Sequence, residues 1–119
     1  MEVLEIRPDA VTVRMRVSSD MLNGFGVCHG GALFSLADSA LAFASNTHGR
    51  TTVSIDNSIT YPAAVYESDV LIAVAEREAG STRIGFYRVV VMRGDEVVAL
   101  FKGTVYTKRS AGVSPGLDR

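Results

Sequence analysis

Gly30-Gly31-Ala32-Leu33-Phe34-Ser35-Leu36-Ala37-Asp38-Ser39-Ala40-Leu41-Ala42-Phe43-Ala44 is the stretch whose reading decides the fold. It is rich in the helix formers Ala and Leu and poor in β-branched residues. Its apolar residues occupy almost every side, the pattern of a buried helix. Asn46 to Gly49 supplies the stop. Before it, Val3 to Ile6 reads as a short strand and Pro8-Asp9 as a turn. Ala10 to Val17 alternates, with Val11, Val13, Met15 and Val17 on one face, so it is a half-buried strand completing a hairpin. After the helix come four more strand patterns: Thr51–Thr60, Asp69–Glu76, Thr82–Met92 and Val97–Tyr106. Arg93-Gly94-Asp95-Glu96 is a hairpin loop between the last two. The order β-β-α-β-β-β-β predicts an α+β fold, one central helix wrapped by a curved, largely antiparallel sheet.

At 119 residues the chain is one domain, expected over 1–107, with 108–119 as a flexible C-terminal tail. Hydrophobic residues make up 47% and charged residues 21%, which excludes a disordered chain. A net charge of −1 leaves no basic excess for nucleic acid. The single cysteine forbids an internal disulfide and fits a reducing cytoplasm. The longest apolar run, Ala32 to Ala44, is too short for a bilayer and carries Asp38 in its middle. No signal peptide is visible, so the expectation is a soluble cytoplasmic protein with no membrane or nucleic-acid partner. Its mean hydropathy of +0.20 is high for such a protein.

The chemistry concentrates between Asn23 and Asp38. A carboxylate among Leu36, Ala37, Ala40 and Leu41 costs several kcal/mol to bury unless it is paired or protonated. Asp38 is therefore a functional candidate, against the plainer reading of a solvent-reaching or salt-bridged side chain. His29-Gly30-Gly31 opens the helix, where free N–H groups can receive a developing oxyanion and glycines admit a ligand close to the backbone. Gly-Gly alone is equally a flexible helix entry. Asn23 can position a carbonyl or a water, although Asn-Gly is also a common turn. Cys28-His29 is no dyad, because sequence neighbours usually point apart and nothing orients them. His48 reads as a solvated residue at the helix exit. Ser54 is the polar face of a strand or a hydroxyl that holds a water.

Taken together, Asn23-Gly24-Phe25-Gly26-Val27-Cys28-His29-Gly30-Gly31 with Ala32 through Ala40 resembles the hotdog-fold acyl-CoA thioesterases, and within them the phenylacetate-degradation (PaaI-type) branch. The pattern Asn-x5-His-Gly-Gly-x6-Asp is far more specific than its pieces. Val53-Ser54-Ile55-Asp56 and Val98-Ala99-Leu100-Phe101-Lys102-Gly103 extend the likeness over nearly the whole chain. Members of this branch often carry Arg-Pro after the third strand, where this chain has Tyr61-Pro62.

The resemblance implies a hotdog domain that hydrolyses acyl-CoA thioesters, with small aromatic acyl groups of the phenylacetyl type or their hydroxylated derivatives. It implies Asp38 as nucleophile or general base, Gly30 as the oxyanion-binding N–H, Asn23 and His29 beside the carbonyl or water, and Ser54 as a supporting hydroxyl. Gly31, Asp56 and Tyr61 are candidate substrate contacts, and Arg77, Arg83 and Lys102 are cations suited to the coenzyme's phosphates. Phe25, Phe34 and Tyr61 suit an aromatic pocket or the core equally. No metal or cofactor is expected, coenzyme A being part of the substrate. Three other readings stay open: a hydratase-dehydratase using His29 and Asp38, a non-hydrolytic acyl-CoA sensor, and a structural role for Asp38.

Two expectations concern assembly. Gly30 and Asp38 are eight positions apart, roughly 12 Å along a helix, yet both must approach one thioester. A two-fold dimer with shared sites resolves this. Both faces of the last strands are apolar: Ile84, Phe86, Val90 and Met92 against Tyr87, Val89 and Val91, then Val97, Ala99, Phe101 and Val105 against Val98, Leu100 and Tyr106. That pattern predicts a homotetramer joined through the outer sheet faces.

Overall fold

The computed structural model describes residues 1–108. Strands β1 (Glu2–Arg7) and β2 (Ala10–Arg16) form the expected hairpin, followed by a single 3-10 turn at Ser19–Met21. Helix α1 runs Gly30–Ser45, then β3 (Thr52–Thr60), β4 (Val70–Gly80), β5 (Ile84–Arg93) and β6 (Glu96–Thr107). The six strands make one sheet in the order β1-β2-β4-β5-β6-β3, every neighbouring pair antiparallel. β1 and β3 are its two edges. Lys108 donates its N–H to the Thr51 carbonyl at 2.9 Å. The remainder of the expected tail lies outside the described residues.

The helix packs Leu33, Leu36, Ala37, Ala40, Leu41 and Ala44 onto the sheet, all buried. Opposite them lie Val11 and Val13 of β2, Leu71, Ala73 and Ala75 of β4, Tyr87, Val89 and Val91 of β5, and Ala99, Phe101 and Val105 of β6. Small residues at the contact bring helix and sheet close. A Cβ on Gly103 would lie 2.9 Å from Leu41 Cδ2 and 2.7 Å from Asn57 Oδ1. Phe34 packs edge-on against Phe101, ring centroids 5.4 Å apart.

Two expectations need correction. The helix is not buried all round: Gly31, Ser35, Ala42 and Phe43 are exposed, because one sheet face covers one side of a helix and nothing covers the other. In β6, Val98 does not join Leu100 and Tyr106 on the outer face. The β5–β6 register shifts between Val91 and Met92, pairing Val91 with Ala99 and Met92 with Val97, so Val98 is the extra residue of a bulge and is fully buried.

The loop between β3 and β4 is tied to the far hairpin. Arg93 Nη1 donates to the Ala64 carbonyl at 2.9 Å and to Asp69 Oδ2 at 2.8 Å, and Arg93 also pairs with Glu96 across the β5–β6 turn. Asp69 Oδ2 also accepts the Tyr66 N–H at 2.8 Å. That amide bond first, and Arg93 second, hold the Asp69 carboxyl below the ordinary carboxylate range. A lowered native pKa means stabilisation that is present above the unfolded value and lost as pH falls through the native one. Asp69→Asn is therefore expected to be less stable than wild type at pH 7. Urea unfolding at a series of pH values should show the gap narrowing below about pH 4 and closing at lower pH. A gap independent of pH would place the cost elsewhere.

Candidate active site

The segment leading into α1 is built by its own backbone. Asn23 Oδ1 accepts the N–H groups of Phe25 at 2.8 Å and Val27 at 3.2 Å, and Asn23 N donates to the Val27 carbonyl at 2.8 Å. Gly26, at φ 77°, takes the left-handed conformation the turn requires. The Asn23 carboxamide oxygen thus shapes this loop, and its Nδ2 has no acceptor among the described residues. Phe25, one candidate for an aromatic pocket, is 92% exposed at the loop tip and lines nothing in the protomer. Cys28 N donates to the Val65 carbonyl and His29 N to the Met21 carbonyl, both at 2.7 Å. These bonds fix where the helix begins.

His29 is the N-cap, with non-helical backbone and no capping bond from its exposed side chain. Its carbonyl accepts from Ala32 and Leu33. The N–H groups of Gly30 and Gly31 have no acceptor among the described residues. They are the positive end of a 16-residue helix dipole. Beside them opens a pocket of about 380 Å³, walled by Val27, Cys28, Leu33, Tyr61 and the Pro62–Val65 run. Tyr61 donates its hydroxyl to the Gly30 carbonyl at 2.8 Å. Burial, and then the charge of Asp69, raise the Cys28 thiol above its ordinary pKa, so it is a neutral wall rather than a nucleophile.

Asp38 is the helix's single charged residue and is half-buried. It makes no salt bridge or side-chain hydrogen bond among the described residues, so the salt-bridged reading finds no partner here. It lies on the flank shared with Phe34, Leu41 and Ser45. Those residues reach Phe101, Gly103 and Thr52, so this flank faces the β6–β3 edge of the sheet. Ser45 Oγ meets Thr52 Oγ1 at 2.7 Å at the start of β3, and Tyr61 meets Gly30 just past its end. Helix and edge strand therefore run in opposite directions.

The other candidates separate. Ser54 donates its hydroxyl to Asn57 Oδ1 at 2.8 Å rather than to Asp38. His29 precedes the helix and Asp38 sits at its middle, and no hydrogen bond or ion pair joins the two within one protomer. Asp56 and Lys102 do come together, with Ser58, Glu78, Phe86 and Thr104, but in a groove of about 230 Å³ on the outer sheet face. Arg77 is committed to the Ser81 carbonyl at 2.8 Å and Arg83 to the Tyr106 hydroxyl at 3.1 Å. Arg83 lies at the Tyr106 end of β5, whereas Arg93 at the opposite end binds Ala64 beside the pocket. At about 3.3 Å per residue, those ends are too distant for Arg83 to reach the Gly30 of its own chain. Among the described residues, no group of three His, Cys, Asp or Glu side chains is placed to hold a metal ion.

Sequence reasoning misses two features. The Pro62-Ala63-Ala64-Val65 run reads as a connector, yet it forms a pocket wall. His48, expected to be merely solvated, lies 3.3 Å from Asp9 Oδ2, whose other oxygen accepts the Tyr87 hydroxyl at 3.2 Å. Burial, and then Asp9, push the Tyr87 phenol up to about 12. This cluster ties the β1–β2 turn to the helix C-terminus, away from the site.

The site thus combines a helix start with unpaired N–H groups, a pocket beside it and a lone carboxylate farther along. The profile of the Thioesterase superfamily matches residues 25–100. The acyl-coenzyme A thioesterase PaaI of Escherichia coli K12 is 35% identical over 103 residues, spanning 86% of this chain and 74% of that protein. A mutant structure of the phenylacetic acid degradation protein PaaI from Thermus thermophilus superposes with a TM-score of 0.85 at 38% identity, over 88% of this chain and 90% of that one. A hypothetical thioesterase from Streptococcus pneumoniae TIGR4, solved with coenzyme A, gives 0.85 at 26% identity, covering 89% and 86%. The wrapped helix is thus the hotdog fold, and the chain belongs to the thioesterase superfamily as a thioester hydrolase.

Proposed function

We propose that the chain hydrolyses acyl-CoA thioesters carrying small aromatic acyl groups, phenylacetyl or its hydroxylated derivatives, to the free acid and CoA. The observation that carries this reading is the helix start with unpaired Gly30 and Gly31 N–H groups, whose Gly30 lines an apolar pocket. Donors fixed there before substrate arrives stabilise the oxyanion of a tetrahedral intermediate without reorganisation. The named activity of the E. coli relative and the coenzyme A of the S. pneumoniae structure support the substrate class. The name of the T. thermophilus protein supports the acyl group.

In this reading Asp38 either attacks the thioester carbon, forming an acyl anhydride that water then cleaves to the free acid and the carboxylate, or takes a proton from the water that attacks the carbon directly. In both routes the C–S bond breaks and CoA leaves as its thiolate, which takes up a proton. This reading assigns His29 and Asn23 to positioning the carbonyl or the water. The chemistry needs no metal or redox cofactor, because a carboxylate supplies the nucleophile or base and helix-end dipoles supply the electrophilic assistance. A cytoplasmic setting, where acyl-CoA is made and a lone thiol stays reduced, fits this substrate.

The active unit is a dimer. Gly30 and Asp38 belong to one helix, about 12 Å apart along its axis, while both must act within about 3 Å of one thioester. The free edge of β3 exposes Val53 (38%) and Ile55 (56%) beside the helix flank that bears Asp38. Pairing β3 with its copy about a two-fold axis sets the two helices antiparallel, the start of one beside the middle of the other. Each of two sites then takes its N–H groups from one chain and its carboxylate from the partner. Shared sites also allow the arginines of one chain to meet a phosphate held by the other.

Dimers pair again through the outer sheet face. Val70 and Phe86 (46% each), Leu100 (44%) and Tyr106 (37%) are exposed there, with Ile72, Val74, Val90 and Met92 partly so. Arg88 and Lys102 face each other in register across β5 and β6, and Glu78 lies 3.7 Å from Arg88.

Asp38→Asn should keep the fold, since no partner is lost, and lower kcat for aryl-acetyl-CoA hydrolysis by about 10²–10⁴-fold, read as thiol release. Turnover near wild type would refute the role. Mixing Asp38→Asn chains with Gly30→Pro chains, each inactive alone, should restore one intact site in every mixed dimer. No recovery after proven chain exchange would mean that sites are not shared. Light scattering at micromolar concentration should give a tetramer mass, and a persistent dimer mass would refute pairing through the outer face.

A further inference from the structure

The two free amides at the start of α1 are not held in the same way. The Gly30 N–H belongs to the His29–Gly30 peptide, whose carbonyl is anchored by the Ala32 and Leu33 amides. The Gly31 N–H belongs to the Gly30–Gly31 peptide, between the two residues with the widest backbone freedom. The carbonyl of that peptide receives the Phe34 N–H of the helix ladder. It also receives, at 2.8 Å, the hydroxyl of Tyr61. A hydrogen bond to an amide oxygen polarises the whole peptide and strengthens its N–H as a donor. The ring of Tyr61 adds a steric restraint: a Cβ on Gly30 would lie 3.0 Å from its Cζ and Oη, tighter than ordinary contact.

We propose that Tyr61 is a positioning residue for catalysis: its hydroxyl fixes and polarises the Gly30–Gly31 peptide, so that the Gly31 N–H joins the Gly30 N–H as a second oxyanion donor. The ring packed over Gly30 keeps that peptide from turning. Tyr61 itself touches neither the reacting atoms nor Asp38. This role rests on the thioesterase reading above, in which the oxyanion sits at these amides.

The sequence provides an unusually direct test. Gly30-Gly31 is the chain's sole Gly-Gly pair. Protein grown with carbonyl-¹³C and ¹⁵N glycine therefore contains one directly bonded ¹³C–¹⁵N peptide link, and a carbonyl-correlated amide spectrum shows one peak. Tyr61→Phe removes the hydroxyl and keeps the ring. The expected result is an upfield shift of the Gly30 carbonyl and the Gly31 amide proton, with an unchanged unfolding midpoint. In the acyl-CoA assay, kcat should fall about three- to tenfold with KM within a factor of two. A purely structural tyrosine would move stability and leave kcat alone. An unmoved peak, or a moved peak with unchanged kcat, overturns the proposal. If wild-type protein releases no CoA from any acyl-CoA, the thioesterase reading fails and the catalytic role falls with it. The peak shift would still report the hydrogen bond, which distinguishes that failure from a failure of Tyr61.

Discussion

Leu41 rests on Gly103, and any side chain at position 103 would meet it at under 3 Å. Around that contact the alanines of the helix and those of β4 and β6 keep the helix axis near the sheet. Interiors are close-packed, so such a seat has little room to slide. The rest of the site inherits its position from this seat. The helix start lands against the Tyr61–Val65 run, its middle carries Asp38 along the edge of β3, and its end meets Thr52. A helix held farther out by larger residues would separate Gly30 from Tyr61 and leave the pocket without one wall.

A one-sided seat leaves an uncovered side. One helix cannot cover both faces of a six-stranded sheet, nor can one sheet face cover a whole helix. The unpaired edge of β3, the bare flank of α1 and the apolar outer face all follow from the same geometry. In the proposed assembly these are the surfaces through which copies of the chain complete one another, and the carboxylate and its oxyanion donors meet only there.

How legible this is in the sequence depends on the range of each cause. Strands and helix are readable because their periods are local: Val11, Val13, Met15 and Val17 alternate, and the run from Gly30 lacks strand formers. The Asn23–Asp38 spacing singles out the site segment for the same reason. The bulge at Val98 is not readable, because a register shift is decided by the partner strand. The helix's exposed side is hidden because Ala and Phe on that side look the same in sequence whether a partner covers them or not. Tyr61 stands out for its ring, yet its bond to Gly30 joins residues 31 positions apart and needs the fold to exist. Resemblance groups Lys102 and Asp56 with the site, while alternation along their strands sends them to the other face.

The strand order has a consequence for how the molecule is made. β3 sits mid-chain, but among the described residues its one neighbour is β6, the last strand described. During synthesis the helix and β3 leave the ribosome long before the segment that holds β3 in the sheet. The β1–β2 hairpin and β4 can assemble as a nascent platform, whereas the wall after β3 waits for Arg93 and the strand beyond it. Non-local pairing of this kind forms slowly and leaves an unpaired strand exposed meanwhile. The half of the molecule that carries the candidate site thus gains its sheet partner last in the chain, and a product cut before β6 would leave β3 without the strand it pairs with.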